Sequence, residues 1–370
     1  MEEEKMIGPV ALIREIPDGY EQACFETGAI ERKRGIKSPG ELMLLNLVHL
    51  ISGCSLMEIS EIAHLGKFGE ISDVAFMKRF QNSNEWFKWI ISHLQNEGYI
   101  SYNNPKYFEK YRIVAVDASD VSEKGRSRRV FRLHFALDIG RLQAYQYNIT
   151  TNAVGESLTN FNFKRGDLVL ADRAYGTVRS IEHCIDEEAD CILRLRSNAF
   201  ALYNDDGQKI DLLKEITEKG NGSLTAYIHG AGKHRVRVCF KRKSELAIVE
   251  TNKRIGSKES RKQITVSKEA KTFNEYIVLV TTISDSVPYD AILDLYRFRW
   301  QIELFFKRLK SIMDYGELPK KTTESIFSWL NGKLMIALLV EKMMSKMSFS
   351  PQEEFPKECL ERDEDDYYCD

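Results

Sequence analysis

Three things are scarce in this 370-residue chain, and each scarcity excludes a class of protein. Long apolar runs are missing. The most apolar late segment, residues 326–344, is interrupted by Asn331, Lys333, Glu341 and Lys342, so no membrane span is expected. The start, MEEEKMIGPV, has no basic stretch followed by an apolar core, so no secretory signal is expected either. Paired cysteines are missing too. The seven cysteines are odd in number and scattered, and Cys184 with Cys191, lacking a second pair, makes a poor zinc site. The expectation is a reduced, cytoplasmic protein. Net charge is scarce as well, at −2, which does not announce a nucleic-acid binder. No internal repeat is found.

That average conceals segregation. Between Gly220 and Lys271 lie thirteen lysines and arginines against four glutamates, while the last residues, 353–370, carry nine acidic side chains against Lys357 and Arg362. A hydrophobic fraction of 43% supports packed cores, and the length suggests two or three domains.

Residues 1–110 read as helical. Ser55 and Glu58 have capping-box spacing, and Gly66 and Gly69 precede a short helix over 71–80 that ends in Lys78 and Arg79. This outline suits a helix-turn-helix or an ordinary helical bundle equally. From 111 the texture changes. Segments 112–118, 130–137, 143–150, 168–171 and 191–196 read as strands, with a helix over 178–186 between the last two. Three strands followed by strand–helix–strand is the order of a ribonuclease-H-like α/β core. Residues 199–275 read as a β-rich insertion, with strands at 224–229, 235–241 and 246–250 and a hydrophilic loop at 251–261. The core resumes at 276–282. One long helix then starts near Pro288, another spans 324–347, and 348–370 forms an acidic tail.

Two aspartates and a glutamate stand out. Asp117 follows the apolar run 113–116, and Asp172 follows 168–171. A carboxylate at the end of a buried strand is costly unless paired or metal-bound, although a strand-end aspartate also serves as a turn or helix-cap residue. Within YRFRWQIELFFKRLK, the residues Tyr296, Arg299, Glu303 and Lys310 fall within an arc of about 60° on a regular helix. Phe298, Ile302, Phe305, Leu309 and Ile312 lie opposite. Three carboxylates brought together make an all-oxygen site suited to Mg²⁺ or Mn²⁺. Asp120, Asp138 and Asp167 are nearby decoys.

Together these residues resemble the DDE transposases of bacterial insertion sequences, specifically the IS-four family with its Tyr-x₂-Arg-x₃-Glu-x₆-Lys signature. Tyr296, Arg299, Glu303 and Lys310 match it without a gap, VDASDVS supplies Asp117 and LVLADRAYG supplies Asp172. The resemblance spans roughly residues 40–345. It implies an enzyme that binds the terminal inverted repeats of its own element as a homodimer on double-stranded DNA, cuts the ends and joins the 3′-hydroxyls to target DNA. It also implies two Mg²⁺ ions held by Asp117, Asp172 and Glu303, with Mn²⁺ as a substitute. Tyr296, Arg299 and Lys310 would grip phosphate, Lys307 would add charge on the same face, and the protein would associate with the bacterial nucleoid when bound to DNA. The basic insertion, represented by Arg235, Arg237, Lys241 and Arg242, is expected to hold the DNA ends. Some relatives cut through a hairpin and clasp a flipped base with a tryptophan of the insertion. Here the four tryptophans all lie elsewhere, and the hairpin route stays open. The acidic tail leaves a second reading, a catalytically inactive relative acting as a DNA-binding protein or inhibitor.

Overall fold

A computed structural model describes residues 2–97, 102–123, 129–318 and 322–347, so the acidic tail lies outside the described residues. Six helices come first: α1 (Glu2–Ile13), α2 (Tyr20–Glu26), α3 (Pro39–Ser52), α4 (Leu56–Leu65), α5 (Asp73–Asn82) and α6 (Asn84–Asn96). Next come β1 (Arg112–Glu123), β2 (Arg129–Asp138), β3 (Gln143–Thr151), β4 (Asp167–Ala171), α7 (Val178–Asp186) and β5 (Asp190–Arg194). After them follow α8 (Leu212–Lys219), β6 (Gly222–His229), β7 (Lys233–Arg242), α9 (Glu245–Lys262), α10 (Lys268–Asn274) and β8 (Tyr276–Thr281). The described chain closes with α11 (Tyr289–Arg297), α12 (Trp300–Met313), β9 (Glu317–Leu318) and α13 (Thr323–Met347). Among the described residues no helix is long and apolar enough to cross a membrane.

The chain forms two compact units. One contains residues 2–97, 120–123, 129–132, 305–318 and 322–347. It is a helical bundle. Ser38 and Glu41 close a capping box ahead of α3, and Pro39 fits its first turn, where a missing N–H costs nothing. Leu42, Met43, Leu45, Leu47 and Val48 of α3 are fully buried. The expected capping box of Ser55 and Glu58 opens α4. Helix α13 packs on α3, α5 and α6, and a Cβ at Gly332 would sit 2.6 Å from Leu50 Cδ1, so a larger residue there would displace the Leu50 side chain. Asn331 donates to Asn84 Oδ1 at 2.8 Å, and Ser328 Oγ donates to the Gln81 carbonyl at 2.9 Å. Seven residues, 66–72, join α4 to α5, longer than the tight turn of a helix-turn-helix. Arg79, at the basic end of α5, donates to the carbonyls of Ala29, Arg32 and Arg34. The bundle reading therefore holds over the helix-turn-helix outline.

The second unit contains residues 102–119 and 133–304. Its sheet has the strand order β3-β2-β1-β4-β5-β8-β7-β6. The central pairs β1/β4 and β4/β5 are parallel, and β5/β8, β8/β7 and β7/β6 are antiparallel. Residues 113–116 and 168–171 are fully buried, as a parallel sheet covered on both faces requires. Asp167 holds the register of β1 on β4: Arg112 Nε donates to it at 2.7 Å and Tyr145 at 3.1 Å.

Three expectations are corrected. The inserted residues do not form a β-rich block of their own, because β6 and β7 extend the main sheet beyond β8 and alternate with α8, α9 and α10. Residues 246–250 and 251–261, read as a strand and a loop, are one helix, α9, capped by Ser244 and supported by a Glu250–Arg254 pair at 3.2 Å one turn apart. Residues from 305 onward, expected to complete the catalytic core, pack with the N-terminal helices instead.

Candidate active site

Strand register decides where the first two carboxylates fall. Val116 lies opposite Ala171 on parallel strands, so Asp117 and Asp172 leave neighbouring strands side by side, about 5 Å apart at the backbone. Strand β1 continues to Glu123 rather than ending at Asp117. Asp117 Oδ1 accepts from the Ala118 N–H at 2.7 Å. Asp172 Oδ1 accepts from the Ala174 N–H at 2.8 Å, as a turn residue would, and its charge acts on Asp117.

The third carboxylate arrives on a helix that is not continuous. The expected single helix from Pro288 is two, α11 and α12, separated at Phe298 and Arg299. There the backbone bonds run three residues back: Phe298 to Leu295, Arg299 to Tyr296, Gln301 to Phe298 and Ile302 to Arg299. This is tightened, 3₁₀-type geometry. Phe298, Ile302, Phe305 and Leu309 are buried as expected. The side chain of Ile312 lies outside the described residues.

The opposite face is not solvated throughout. Tyr296 is 1% exposed, and its hydroxyl donates to the Ala171 carbonyl at 3.2 Å. Arg299 is 4% exposed and donates to Glu303 one turn later. Neither side chain is presented to phosphate in this state, because both are spent fixing α11 and α12 beside the end of β4. Lys307 and Lys310 are exposed on α12.

Electrostatics gathers the three acids around Arg299. Burial first, then the charges of Asp172 and Glu303, push the Asp117 carboxyl up to about 7, against the pull of Arg299 and the Ala118 N–H. Burial works against the Arg299 charge, yet Tyr296, Glu303, Asp117 and Asp172 hold its pKa above the ordinary arginine value. Among the described residues no three carboxylate, histidine or cysteine side chains already converge as a complete ion ligand set. The donor chemistry nevertheless fits a hard divalent cation: the groups are all oxygen, and one carboxyl is driven toward protonation for want of positive charge.

Other expected residues are placed differently. Arg237, 5% exposed, donates to the carbonyls of Val287 (2.5 Å) and Ser284 (3.2 Å) and to Ser223 Oγ (2.9 Å), so it secures the loop before α11 and is not a DNA contact here. Arg235 pairs with Asp285, and Arg242 with Glu245 at 2.6 Å; Lys241 is half-buried. Of the decoys, Asp120 pairs with Arg132 at 2.8 Å and Asp138 accepts from the Arg141 N–H at 3.2 Å. The sequence reading missed Arg173 and Arg194. Arg194 is 2% exposed, and Arg173 donates to Asn274 Oδ1 at 2.8 Å. Burial and Arg194 push the Arg173 guanidinium down to about 9. A signal existed: Arg194 closes the apolar run of β5 just as Asp172 follows that of β4.

These features describe a mixed α/β fold with two aspartates side by side near a buried arginine–glutamate pair, and comparison with known proteins narrows its class. The transposase DDE domain family matches residues 108–339. The transposase for insertion sequence element IS421 of Escherichia coli is 27% identical over 355 residues, covering 91% of this chain and 93% of the relative. The transposase for insertion sequence element IS231C of Bacillus thuringiensis subsp. berliner is 25% identical over 377 residues, covering 90% and 78%. The chain belongs to the transposase DDE domain family, and its function is that of a DNA transposase.

Proposed function

We propose that this transposase binds the terminal inverted repeats of its element as a homodimer, cuts the DNA ends and transfers the freed 3′-hydroxyls to target DNA. The strand order β3-β2-β1-β4-β5 supports reading the centre of its sheet as a ribonuclease-H-like core. The observation that carries the chemistry is the strand register that sets Asp117 beside Asp172, with Glu303 bound by an Arg299 whose charge both aspartates feel. These three side chains would hold two Mg²⁺ ions. Bound there, the ions would activate the attacking oxygen and stabilise the leaving one.

The protein's own groups set the stage. Adjacent parallel strands fix Asp117 and Asp172, so little order has to be imposed on them when the site fills. Arg299 donates to Glu303 in this state, so Glu303 would have to leave it to hold a cation. The guanidinium then has to exchange a carboxylate for another anion, and the scissile phosphate, which it can meet bidentately, is the candidate. Lys310, an exposed point charge on α12, contributes a phosphate contact along the DNA.

The test is nicking and strand transfer on a duplex carrying the element's end, with and without Mg²⁺. Asp117→Asn, Asp172→Asn and Glu303→Gln should each abolish cleavage while retaining binding to that duplex. Binding without Mg²⁺-dependent nicking by the unmodified protein would identify it as a catalytically inactive relative.

A further inference from the structure

The helical bundle contains a cavity of about 900 Å³ that the chemistry above does not use. Its walls come from the end of α3, the first turn of α4, and the helices α12 and α13. Lys310 lines it, and so does Lys333. Lys333 is 6% exposed, its ammonium lies 5.3 Å from the centroid of the Trp329 ring, and it makes no hydrogen bond or ion pair among the described residues. A lysine this deeply placed, whose ammonium reaches only the cavity and has no hydrogen-bonded counter-ion, costs more than an apolar residue would unless something compensates for it.

The compensation inside the protein is partial. Asp314, exposed at the rim, is the carboxylate that acts on Lys333, and burial still lowers its pKa below the ordinary lysine value. Asp73, also on the wall, has Oδ1 accepting from the Val74 N–H at 2.8 Å. The His49 ring lies 2.6 Å from the Cys54 carbonyl through Nδ1. The N-terminal turn of α4, Ser55 to Met57, opens onto the same space; the Ser55 N–H already donates to the Glu58 carboxylate at 2.8 Å, and a further anion there would draw on the rest of the turn.

We propose that this cavity is a phosphate-binding pocket for a DNA strand, in which Lys333 and Lys310 hold a backbone phosphate at the N-terminus of α4. The proposal rests on reading Lys310 as a phosphate contact and adds to it Lys333, a residue outside the signature, together with the open cavity that both line. The pocket accounts for why a lysine is retained where an apolar residue would pack at lower cost.

That cost supplies the test. Lys333→Met removes the charge and keeps the volume, so the variant should melt at the same or a higher temperature than the parent. Its affinity for a duplex carrying the element's end, measured by fluorescence anisotropy, should fall on the order of tenfold. The slope of log affinity against log salt should drop by about one, the loss of a single phosphate contact. Lys333→Arg should restore most of the binding. Inorganic phosphate and a nucleoside monophosphate, each titrated as competitor, distinguish strand from free ligand: a pocket for DNA releases to neither at millimolar concentration, and displacement by either overturns the assignment to a strand. Unchanged affinity and salt slope in Lys333→Met would overturn the pocket itself. A loss in Lys333→Met with none in Lys310→Ala would retain the pocket and refute the phosphate role of Lys310.

Discussion

The hydroxyl of Tyr296 donates to the carbonyl of Ala171, at 3.2 Å, one residue before Asp172. That bond joins the last turn of α11 to the end of β4, so the element that leads to the third carboxylate is keyed to the strand that bears the second. Tyr296→Phe removes only the hydroxyl. It should cost about 1 kcal/mol of stability, lower the cleavage rate severalfold and leave DNA affinity unchanged. Denaturant melts and cleavage rates on the same preparation check this, and a large loss of DNA affinity would return Tyr296 to the phosphate.

Glu303→Gln should abolish cleavage and also soften the fold, because it leaves the buried Arg299 without its carboxylate partner. A destabilisation on the order of 2 kcal/mol is expected, together with near-normal binding to the element's ends. Cleavage at a near-normal rate in Mg²⁺ would remove Glu303 from the ligand set.

The raised Asp117 carboxyl links stability to pH. In the unfolded chain an aspartate titrates near 4, whereas in the folded protein this one titrates at about 7. Between those values the folded state holds a proton that the unfolded state has released. Stability of the metal-free protein from this group therefore falls as pH rises from about 4 to about 7 and stays low above that. Asp117→Asn should flatten the dependence and melt higher than the parent at pH 8. Thermal melts from pH 5 to 8 with a chelator present, repeated with Mg²⁺, read the effect. The metal should stabilise the parent most at the alkaline end.

The basic charge of the inserted residues divides into two kinds. Arg237→Ala should destabilise the protein by about 2–3 kcal/mol, since it strips donors from the carbonyls of Ser284 and Val287, and should leave the salt slope of DNA binding unchanged. Lys253, Lys258 and Arg261 are exposed on α9 and carry no ion pair among the described residues. Replacing those three by alanine should leave the melt unchanged and reduce the salt slope by about three if each meets a phosphate. Salt-titrated anisotropy on the two variants separates the roles.

Where the sequence was legible, one physical rule governed the element. Strands β1 and β4 could be read because a parallel sheet covered on both faces demands unbroken apolar runs, and a charge at the end of such a run is conspicuous. Helix α7 matches its expected span, 178–186, residue for residue. The break at Phe298 and Arg299 was hidden, because the apolar positions continue at helical spacing across it and a tightened turn barely disturbs that pattern. Helix α9 was misread because Leu246, Ile248 and Val249 resemble a strand in composition. The competing signals, a Ser244 cap and a Glu250–Arg254 pair, are local and weak. Burial of Tyr296, Arg299 and Arg237 could not be read at all, since helical and strand periodicity assign a face but do not say what covers it.

The tightened turn between α11 and α12 makes the stretch from Tyr296 to Glu303 a spacer of fixed length. One end is anchored at the Ala171 carbonyl, and the other carries the carboxylate that the proposed site requires beside Asp117 and Asp172. One residue more or fewer would swing Glu303 by about 100° around the helix axis and move it along by about 1.5 Å. Lengthening the connection from β5 to α8 disturbs no such alignment. Insertions and deletions should therefore be tolerated around 199–211 and be lethal to cleavage between 296 and 303, even where every side chain named here is still present.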